Sequence, residues 1–441
     1  MLGKHGIKLK QGGLNRIQRI SKTHLPAWAK GIRLTFVSVF CILTLGCEPS
    51  SDIPIKQLTT AQQGAFDGTI SDTGKYAVLS SLYHGVALWD LDAEGLKYQW
   101  SHDLSNQGLQ FDDGESTAIM SDANTIFATA ISNNDSHAVL ADKHNFSLWS
   151  LQTGENLGFW QVKKAKVKIQ PQTTTESTWV RGAKADSDQP ALSQIDIIDR
   201  DKCINVLEVE SERCMILGTI RAIDVSNNGK HIVIGKSNGM VTHITVETGR
   251  RLEFLGHQSN LLDAEGEPVQ ISNTINSLEM SANGRYVLTG SSDNNAYLWD
   301  TKTGQVIYQF RHSSRVTKVA LDAKGRYAFT ADSKKQSRIW DLKTGKVIST
   351  LQYFNRQEIF SSARFSDNGK WLLTGAPTRE LTLWDVKTGK QRQQWTVTAR
   401  KGSRPASAIV YSASFINNET QVISTSSAGF SEIWEIDNEH R

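Results

Sequence analysis

An apolar strand that ends in tryptophan and aspartate and runs at once into a Thr-Gly turn recurs along this chain. The clearest copy is Tyr297-Leu298-Trp299-Asp300-Thr301-Lys302-Thr303-Gly304. Close copies stand at Ile339–Gly345 and Leu383–Gly389, and a looser one at Leu148–Gly154. Units of this kind, spaced about 40 to 50 residues apart, cannot each bury an apolar face alone. They have to stack on one another, as a solenoid or as a closed ring.

The spacing around the tryptophan shows how much of each unit is repeated. Ser281 lies eighteen residues before Trp299, and the same interval joins Ser71 to Trp89, Ser226 to Ile244, Asp322 to Trp340, Ser366 to Trp384 and Ile416 to Trp434. A glycine follows three residues after the first member at Gly74, Gly229, Gly284, Gly325 and Gly369, which reads as a tight hairpin. Eleven residues after the tryptophan position stand Trp100, Trp160, Leu255, Phe310, Leu351 and Trp395, all large and apolar. They read as a fourth strand that seals against the adjacent unit.

Strand, turn, strand, loop, tryptophan strand, Thr-Gly turn, strand: this order resembles the WD-repeat family. The resemblance covers nearly all of the chain after its first fifty residues. It implies an all-β propeller of four-stranded antiparallel blades around a central channel. Third strands are clear at Val86–Trp89, Phe146–Trp149, Thr242–Val246, Ala296–Trp299, Arg338–Trp340, Leu381–Trp384 and Glu432–Trp434. The 95 residues from Trp149 to Ile244 leave room for one more blade. Ile195–Lys202 aligns with Ile339–Lys346, Leu207 falls eleven after Asp196, and Ser177–Ala183 supplies an upstream strand. The expectation is therefore eight blades, with seven as the next reading. The last unit ends at Ile436 without a fourth strand, a place that Ile53–Leu58 can fill. Pairing the two chain ends in this way leaves the ring no open edge.

The N-terminus reads as a targeting segment. Residues 1–33 hold eight Lys and Arg and no acid, and Leu34–Leu45 is an uncharged, mostly apolar run. That run falls short of the roughly 20 residues needed to span a bilayer. Leu43-Thr44-Leu45-Gly46-Cys47 resembles a bacterial lipoprotein signal, which implies a signal peptide over 1–46 and lipid on Cys47. A linker over 47–52 and a propeller over 53–441 would come after it. An uncleaved anchor helix or an ordinary signal peptide are the alternatives, and each exports the rest of the chain. The full chain carries +4, and loss of the eight basic groups leaves −4, so basicity gives no reason to expect nucleic acid as a partner. Cys203 and Cys214 remain in the exported part, as a disulfide closing a local loop or as two free thiols.

The resemblance also implies a buried histidine, Ser/Thr, aspartate and tryptophan tetrad in each blade. It is complete at His257, Thr289, Asp293 and Trp299. The next unit keeps His312, Thr330 and Trp340 with Lys334 at the aspartate position. The one after keeps Thr374 and Trp384 with Thr378, and the first has Ser80 and Trp89 with Tyr83. Trp89, Trp149, Trp340, Trp384 and Trp434 read as blade-core residues. A catalytic reading of His257, Thr289 and Asp293 fails, because Thr289 lies mid-strand and no Gly-x-Ser-x-Gly elbow exists. No phosphate loop or metalloprotease motif appears, and Asp112–Glu115 lacks calcium-ligand spacing, so no cofactor or metal is expected. Lys163, Lys164, Lys166 and Lys168 form either a strip for anionic headgroups or a solvated outer strand. Long insertions at Ser105–Ala123, Lys163–Thr175 and His257–Asn273 are candidate binding loops.

Together these readings predict a non-catalytic, lipid-anchored propeller that holds unidentified protein partners at the periplasmic face of a bacterial envelope. Glu48 stands where an inner-membrane retention signal resembling this one has aspartate, which favours the outer membrane. A propeller enzyme of the quinone-dependent dehydrogenase type, or a binder of small ligands or glycans, are the alternatives.

Overall fold

The computed structural model describes residues 53–81, 85–100, 125–161, 166–167, 196–197, 218–254, 256–262, 268–334, 336–353, 359–402 and 406–437. The repeated offsets become repeated sheets. The first strand, β1 (Lys56–Thr59), stands apart from its successors in sequence. Blade 1 then comprises β2 (Ala65–Ile70), β3 (Tyr76–Ser81), β4 (Gly85–Asp90) and β5 (Gly95–Trp100). Blade 2 holds β6 (Ala128–Ile131), β7 (His137–Ala141), β8 (Asn145–Ser150) and β9 (Asn156–Gln161). A short ribbon of β10 (Lys166–Val167) and β11 (Asp196–Ile197) comes next. Blade 3 is β12 (Ile220–Val225), β13 (His231–Lys236), β14 (Val241–Thr245) and β15 (Arg251–Phe254), after which β16 (Gln258–Leu262) and β17 (Pro268–Ser272) pair as a second ribbon. Blade 4 is β18 (Ile275–Met280), β19 (Tyr286–Ser291), β20 (Asn295–Asp300) and β21 (Gln305–Arg311). Blade 5 is β22 (Val316–Leu321), β23 (Tyr327–Asp332), β24 (Ser337–Asp341) and β25 (Lys346–Thr350). Blade 6 is β26 (Ser362–Phe365), β27 (Trp371–Gly375), β28 (Glu380–Asp385) and β29 (Gln391–Thr396). β30 (Val410–Ile416), β31 (Gln421–Ser426) and β32 (Phe430–Glu435) form blade 7, which β1 completes.

The hairpin between the first two strands of a blade is set by its turn residues. In blade 4 the Ser281 carbonyl accepts the Gly284 N–H at 2.7 Å, and the Ser281 hydroxyl accepts the Tyr286 N–H at 2.9 Å. Gly284 sits at φ +72°, a conformation that costs L-residues roughly 1 kcal/mol or more. Blades 2 and 7 lack the glycine, and Asp135 and Glu419 adopt positive φ in its place. Their side chains are held by Thr73 and Asn368 of the preceding blade.

The fourth-strand aromatic residues close the gaps between blades. Trp100 stacks on Trp149 of the next blade with ring centroids 5.1 Å apart. Phe310 meets Trp340 at 4.5 Å, Trp395 meets Trp434 at 6.5 Å, and Leu351 shares a buried cluster with Trp384. Blade 3 departs from the predicted spacing by one residue. Its third and fourth strands pair without the bulge that blades 1, 2 and 4–6 carry at the tryptophan position, which places Phe254, not Leu255, opposite Val241, and Phe254 stacks on Trp299 at 5.1 Å. Leu255 lies outside the described residues.

The corresponding contact of blade 2 overturns the expected eighth blade. Trp160 of blade 2 packs into the cluster that holds Ile244 of blade 3, together with Phe146, Leu148, Ile223 and Ile234. The Ile220 N–H donates to the Lys143 carbonyl at 2.8 Å, and the Ser136 hydroxyl donates to the Asn227 carbonyl at 2.9 Å. Blade 3 therefore succeeds blade 2 directly, and no blade can stand between them. The innermost strands run β2, β6, β12, β18, β22, β26 and β30 and return to β2. The ring has seven blades. Asp196 and Ile197, read from sequence as a blade's third strand, instead pair with Val167 and Lys166 in the two-stranded ribbon. Ser177–Ala183, Leu207, Cys203, Cys214 and Cys47 lie outside the described residues, as do residues 1–46, Ser105–Ala123, Lys163, Lys164 and Lys168.

Closure takes the predicted route. β1 pairs antiparallel with β32, Lys56 opposite Ile433 and Thr59 opposite Phe430. Leu58 packs with Trp89, Leu79 and Ile70 of blade 1. The fully buried Glu432 accepts from Gln57 Nε2 at 2.8 Å and from the Thr398 N–H at 3.0 Å, which ties β1 and the link from blade 6 to one carboxylate.

Candidate functional site

The complete tetrad forms a chain of donors inside blade 4. Trp299 Nε1 donates to Thr289 Oγ1 at 2.9 Å, and Thr289 Oγ1 lies 2.7 Å from His257 Nε2. His257 Nδ1 lies 2.9 Å from Asp293 Oδ2. With the imidazole proton on Nδ1, each donor finds an acceptor and each acceptor a donor. His257 and Thr289 are fully buried, so no substrate could reach them. Gly256 must be glycine here, because a Cβ would stand 2.4 Å from the Trp299 ring.

The other blades keep parts of this chain. In blade 5 Trp340 Nε1 donates to Thr330 at 2.8 Å, and Thr330 lies 2.8 Å from His312 Nε2. Lys334 occupies the expected aspartate position in sequence, but the buried Asp332 stands 3.7 Å from His312 Nδ1 in its stead. That distance is too long for a hydrogen bond, and His312 Nδ1 stays unpartnered. Trp384 donates to Thr374 at 2.8 Å, and Trp149 to Ser147 of its own strand at 2.7 Å. Trp89 and Trp434 have unpartnered indole nitrogens; Ser80 donates to the Ile126 carbonyl at 3.0 Å, and the Ser424 hydroxyl is unbonded as well. Tyr83 lies outside the described residues, and Thr378 bonds to Glu380.

The surfaces available to other molecules are the two rims and the channel between them, a cavity of about 840 Å³. The innermost strand of a blade is a sheet edge with unpaired N–H groups, a liability unless something covers it. Side chains of the preceding blade do so. Asp224 accepts the Met280 N–H at 2.7 Å, Glu279 the Leu321 N–H at 3.0 Å, Ser277 the Val319 N–H at 3.2 Å and Ser412 the Ile70 N–H at 3.1 Å. Asp67 accepts from Thr129 of blade 2 at 2.9 Å. Arg364 of blade 6 reaches past β30 to the Ile70 carbonyl at 3.0 Å and pairs with Asp72, clasping the closure seam from inside.

Several of these half-buried groups have perturbed protonation. Burial pushes the carboxyl of Asp67 up to about 6 and that of Asp224 to about 7. Glu279 rises as well, first through burial and then through the nearby Asp224. Burial lowers the Lys318 ammonium, against the pull of Glu279, Asp67 and Asp224. Among the described residues no group of three or more His, Cys, Asp or Glu is arranged to hold a metal ion.

At the end of the channel away from the hairpin turns, five first strands carry a β-bulge whose extra residue is Phe66, Arg221, Asn276, Thr317 or Tyr411. Bulges re-aim side chains, and Arg221, Asn276 and Tyr411 of this row line the channel. Phe66 and Phe127, from adjacent blades, are 38% and 44% exposed. Tyr411 of blade 7 stands beside them, its hydroxyl bonded to the Ala65 carbonyl at 3.0 Å.

Residues 266–300 match the family model described as "WD domain, G-beta repeat". The matched segment runs from the second ribbon through the tryptophan strand of blade 4, the blade with the complete tetrad, and the other blades repeat its strand order around the ring. The chain is a WD-repeat β-propeller.

Within this WD-repeat propeller the predicted residues divide cleanly. The tetrad is one buried cluster inside a blade, the five blade-core tryptophans lie between blades, and none of them reaches the channel mouth or the outer surface of a rim. The bulge residues and the channel charges were missed by sequence reasoning. A signal for the latter does exist: Asp224, Glu279 and Arg364 each stand two residues before the turn serine, Ser226, Ser281 or Ser366. Nothing in the sequence marks the bulges, since an inserted residue shows only when the pairing register is known.

Proposed function

We propose that this WD-repeat propeller is an exported, non-catalytic platform, lipid-anchored at Cys47, that holds protein partners at the periplasmic side of the bacterial envelope, with the outer membrane favoured. The observation that supports a platform is the exposure of Phe66 and Phe127 at the starts of two neighbouring inner strands, on the rim away from the hairpin turns. Exposed aromatic rings held by rigid strands are typical anchors of a protein interface, since they bring large contact area at small entropic cost. A lipid on Cys47 would join the ring through β1, whose first residue Lys56 is bonded to Glu94 at the opposite rim.

Crosslinking and pull-down from detergent-solubilised envelopes test the reading. A reproducible protein partner that is lost on Phe66→Ala/Phe127→Ala is the expected result. The polar channel favours a second reading, a small polar ligand held among Asp67, Asp224, Glu279 and Lys318. Cofactor absorbance or a stoichiometric small molecule in the purified protein would favour it over the platform. Labelling with radioactive palmitate, abolished by Cys47→Ser, tests the anchor separately.

A further inference from the structure

The propeller is electrically lopsided. Residues 275–402, which build blades 4–6 and their links, hold 21 Lys and Arg against 10 Asp and Glu, a net +11. The remainder from Cys47 holds 20 against 35, a net −15, so the mature −4 hides two opposed sectors. The Thr-Gly turns show the same split position by position. The second residue after the strand-ending position is Lys302, Lys343 and Lys387 in blades 4–6, but Asp92, Gln152 and Glu247 in blades 1–3. Lys346 and Lys390 add a second cation to the turns of blades 5 and 6.

The geometry of the turns sends these cations outward. Asp300 Oδ1 accepts the Lys302 N–H, Asp341 Oδ1 the Lys343 N–H and Asp385 Oδ1 the Thr388 N–H, each at 2.8 Å. The carboxylates are folded into their own turns, while all five lysines are exposed and none forms an ion pair among the described residues. Beside them the outer strands present Val306, Ile307 and Val347, 42%, 40% and 45% exposed.

We propose that this rim of blades 4–6 docks onto an anionic phospholipid surface. Flexible lysine stems suit diffuse, mobile headgroups, and the interleaved aliphatic side chains can enter the interface between headgroups and acyl chains. No aromatic anchor of the kind found at the opposite mouth is present in this patch. The first residue of β1 lies on the same rim, so a tether at Cys47 and the lysines would act on one membrane as two weak signals that reinforce each other. The tether rests on the proposed lipidation of Cys47; the lysine surface does not.

Co-sedimentation of residues 48–441, which include the whole closed ring and carry no lipid, tests the lysine surface alone. Binding to vesicles rich in phosphatidylglycerol, roughly tenfold or more tighter than to phosphatidylcholine vesicles and weakened by salt, is expected. Lys343→Glu/Lys346→Glu/Lys387→Glu should lower it by roughly thirtyfold or more with the thermal transition unchanged, because the three side chains are exposed and unbonded. Val347→Ser should weaken it less and independently of salt. Equal binding to both vesicle types, or a charge-reversed variant that binds like the parent, would overturn the proposal. So would salt-sensitive self-association without vesicle binding, removed by the same three substitutions, which would assign the rim to the acidic sector of a second copy. Cys47→Ser in cells leaves these outcomes untouched, so a failed anchor and a failed lysine surface are told apart.

Discussion

Thr289 is the residue on which most of blade 4's buried polarity depends. Its hydroxyl serves both Trp299 Nε1 and His257 Nε2, and Thr289→Val would orphan both nitrogens in a fully buried site. A loss of about 2–4 kcal/mol is expected, since each orphaned buried group costs about 1–3. Ser424 holds the equivalent place in blade 7 but bonds nothing, and neither does Trp434 Nε1. Ser424→Ala should therefore change stability by no more than about 0.5 kcal/mol. Chemical denaturation of both variants checks the contrast, and equal losses would show that the tetrad's hydrogen bonds do not distinguish the blades. Titration at the residue scale has two opposite slopes. Asp224 and Glu279 have pKa values raised by folding, so their contribution is complete below the ordinary carboxyl range and is lost as pH rises through about 7. Asp224→Asn/Glu279→Gln should raise the melting temperature at pH 8 and change it little at pH 4. His243 is the reverse. Burial, then the stacked His231 and Arg250, lowers its imidazole to about 4, and stability is lost as pH falls below 6.5. His243→Leu should flatten the acid limb of the same melting curves and leave the alkaline limb alone.

Among the elements, β1 is the one whose removal would open the ring. It supplies the fourth strand of blade 7, buries Leu58 against blade 1 and shares Glu432 with the link from blade 6. Glu432→Ala should cost about 1–3 kcal/mol by leaving the Thr398 N–H without an acceptor, while the exposed Gln57 amide turns to water. Hydrogen exchange should then quicken in β1 and β32 before it changes in β18–β21, because local opening starts at the weakest seam. Uniform acceleration across all blades would show that closure and the blade cores fail together. The blade itself was legible at this scale. The interval of eighteen residues marked the hairpin turn, and the interval of eleven marked the residue that reaches the next blade, because both distances are set by strand length and turn type. Phe254 in place of Leu255 shows the limit, since a bulge absent from one strand pair shifts the partner by a residue without weakening the pattern.

At the scale of the molecule, the ring's size is decided by which blade touches which. Trp160 and Ile244 share one cluster, so blade 3 follows blade 2 directly around the ring. Replacing residues 163–217 with a short Gly/Ser linker should therefore leave one cooperative transition, altered by no more than about 1 kcal/mol, because loop length enters closure entropy only logarithmically. Calorimetry on the shortened chain checks this, and failure to fold would restore an eighth structural unit. The charge split between blades 4–6 and the rest of the ring also belongs to this scale. It is written in the sequence as a run of basic turns, yet only closure brings three of them side by side on one rim and sets them across the ring from their acidic counterparts.

The sequence by itself determined the repeat, the strand order within each blade, the tetrad of blade 4 and the closing role of Ile53–Leu58. All of these come from local spacing, which strand geometry and turn chemistry fix within a few dozen residues. Only the tertiary structure decided the number of blades, the exchange of Lys334 for Asp332 beside His312, the bulged residues of the first strands and the Asp224 and Glu279 carboxylates that cap the inner edges of blades 4 and 5. Those depend on contacts between blades, where a degenerate match at Asp196 weighs nothing against Trp160 already packed on its neighbour.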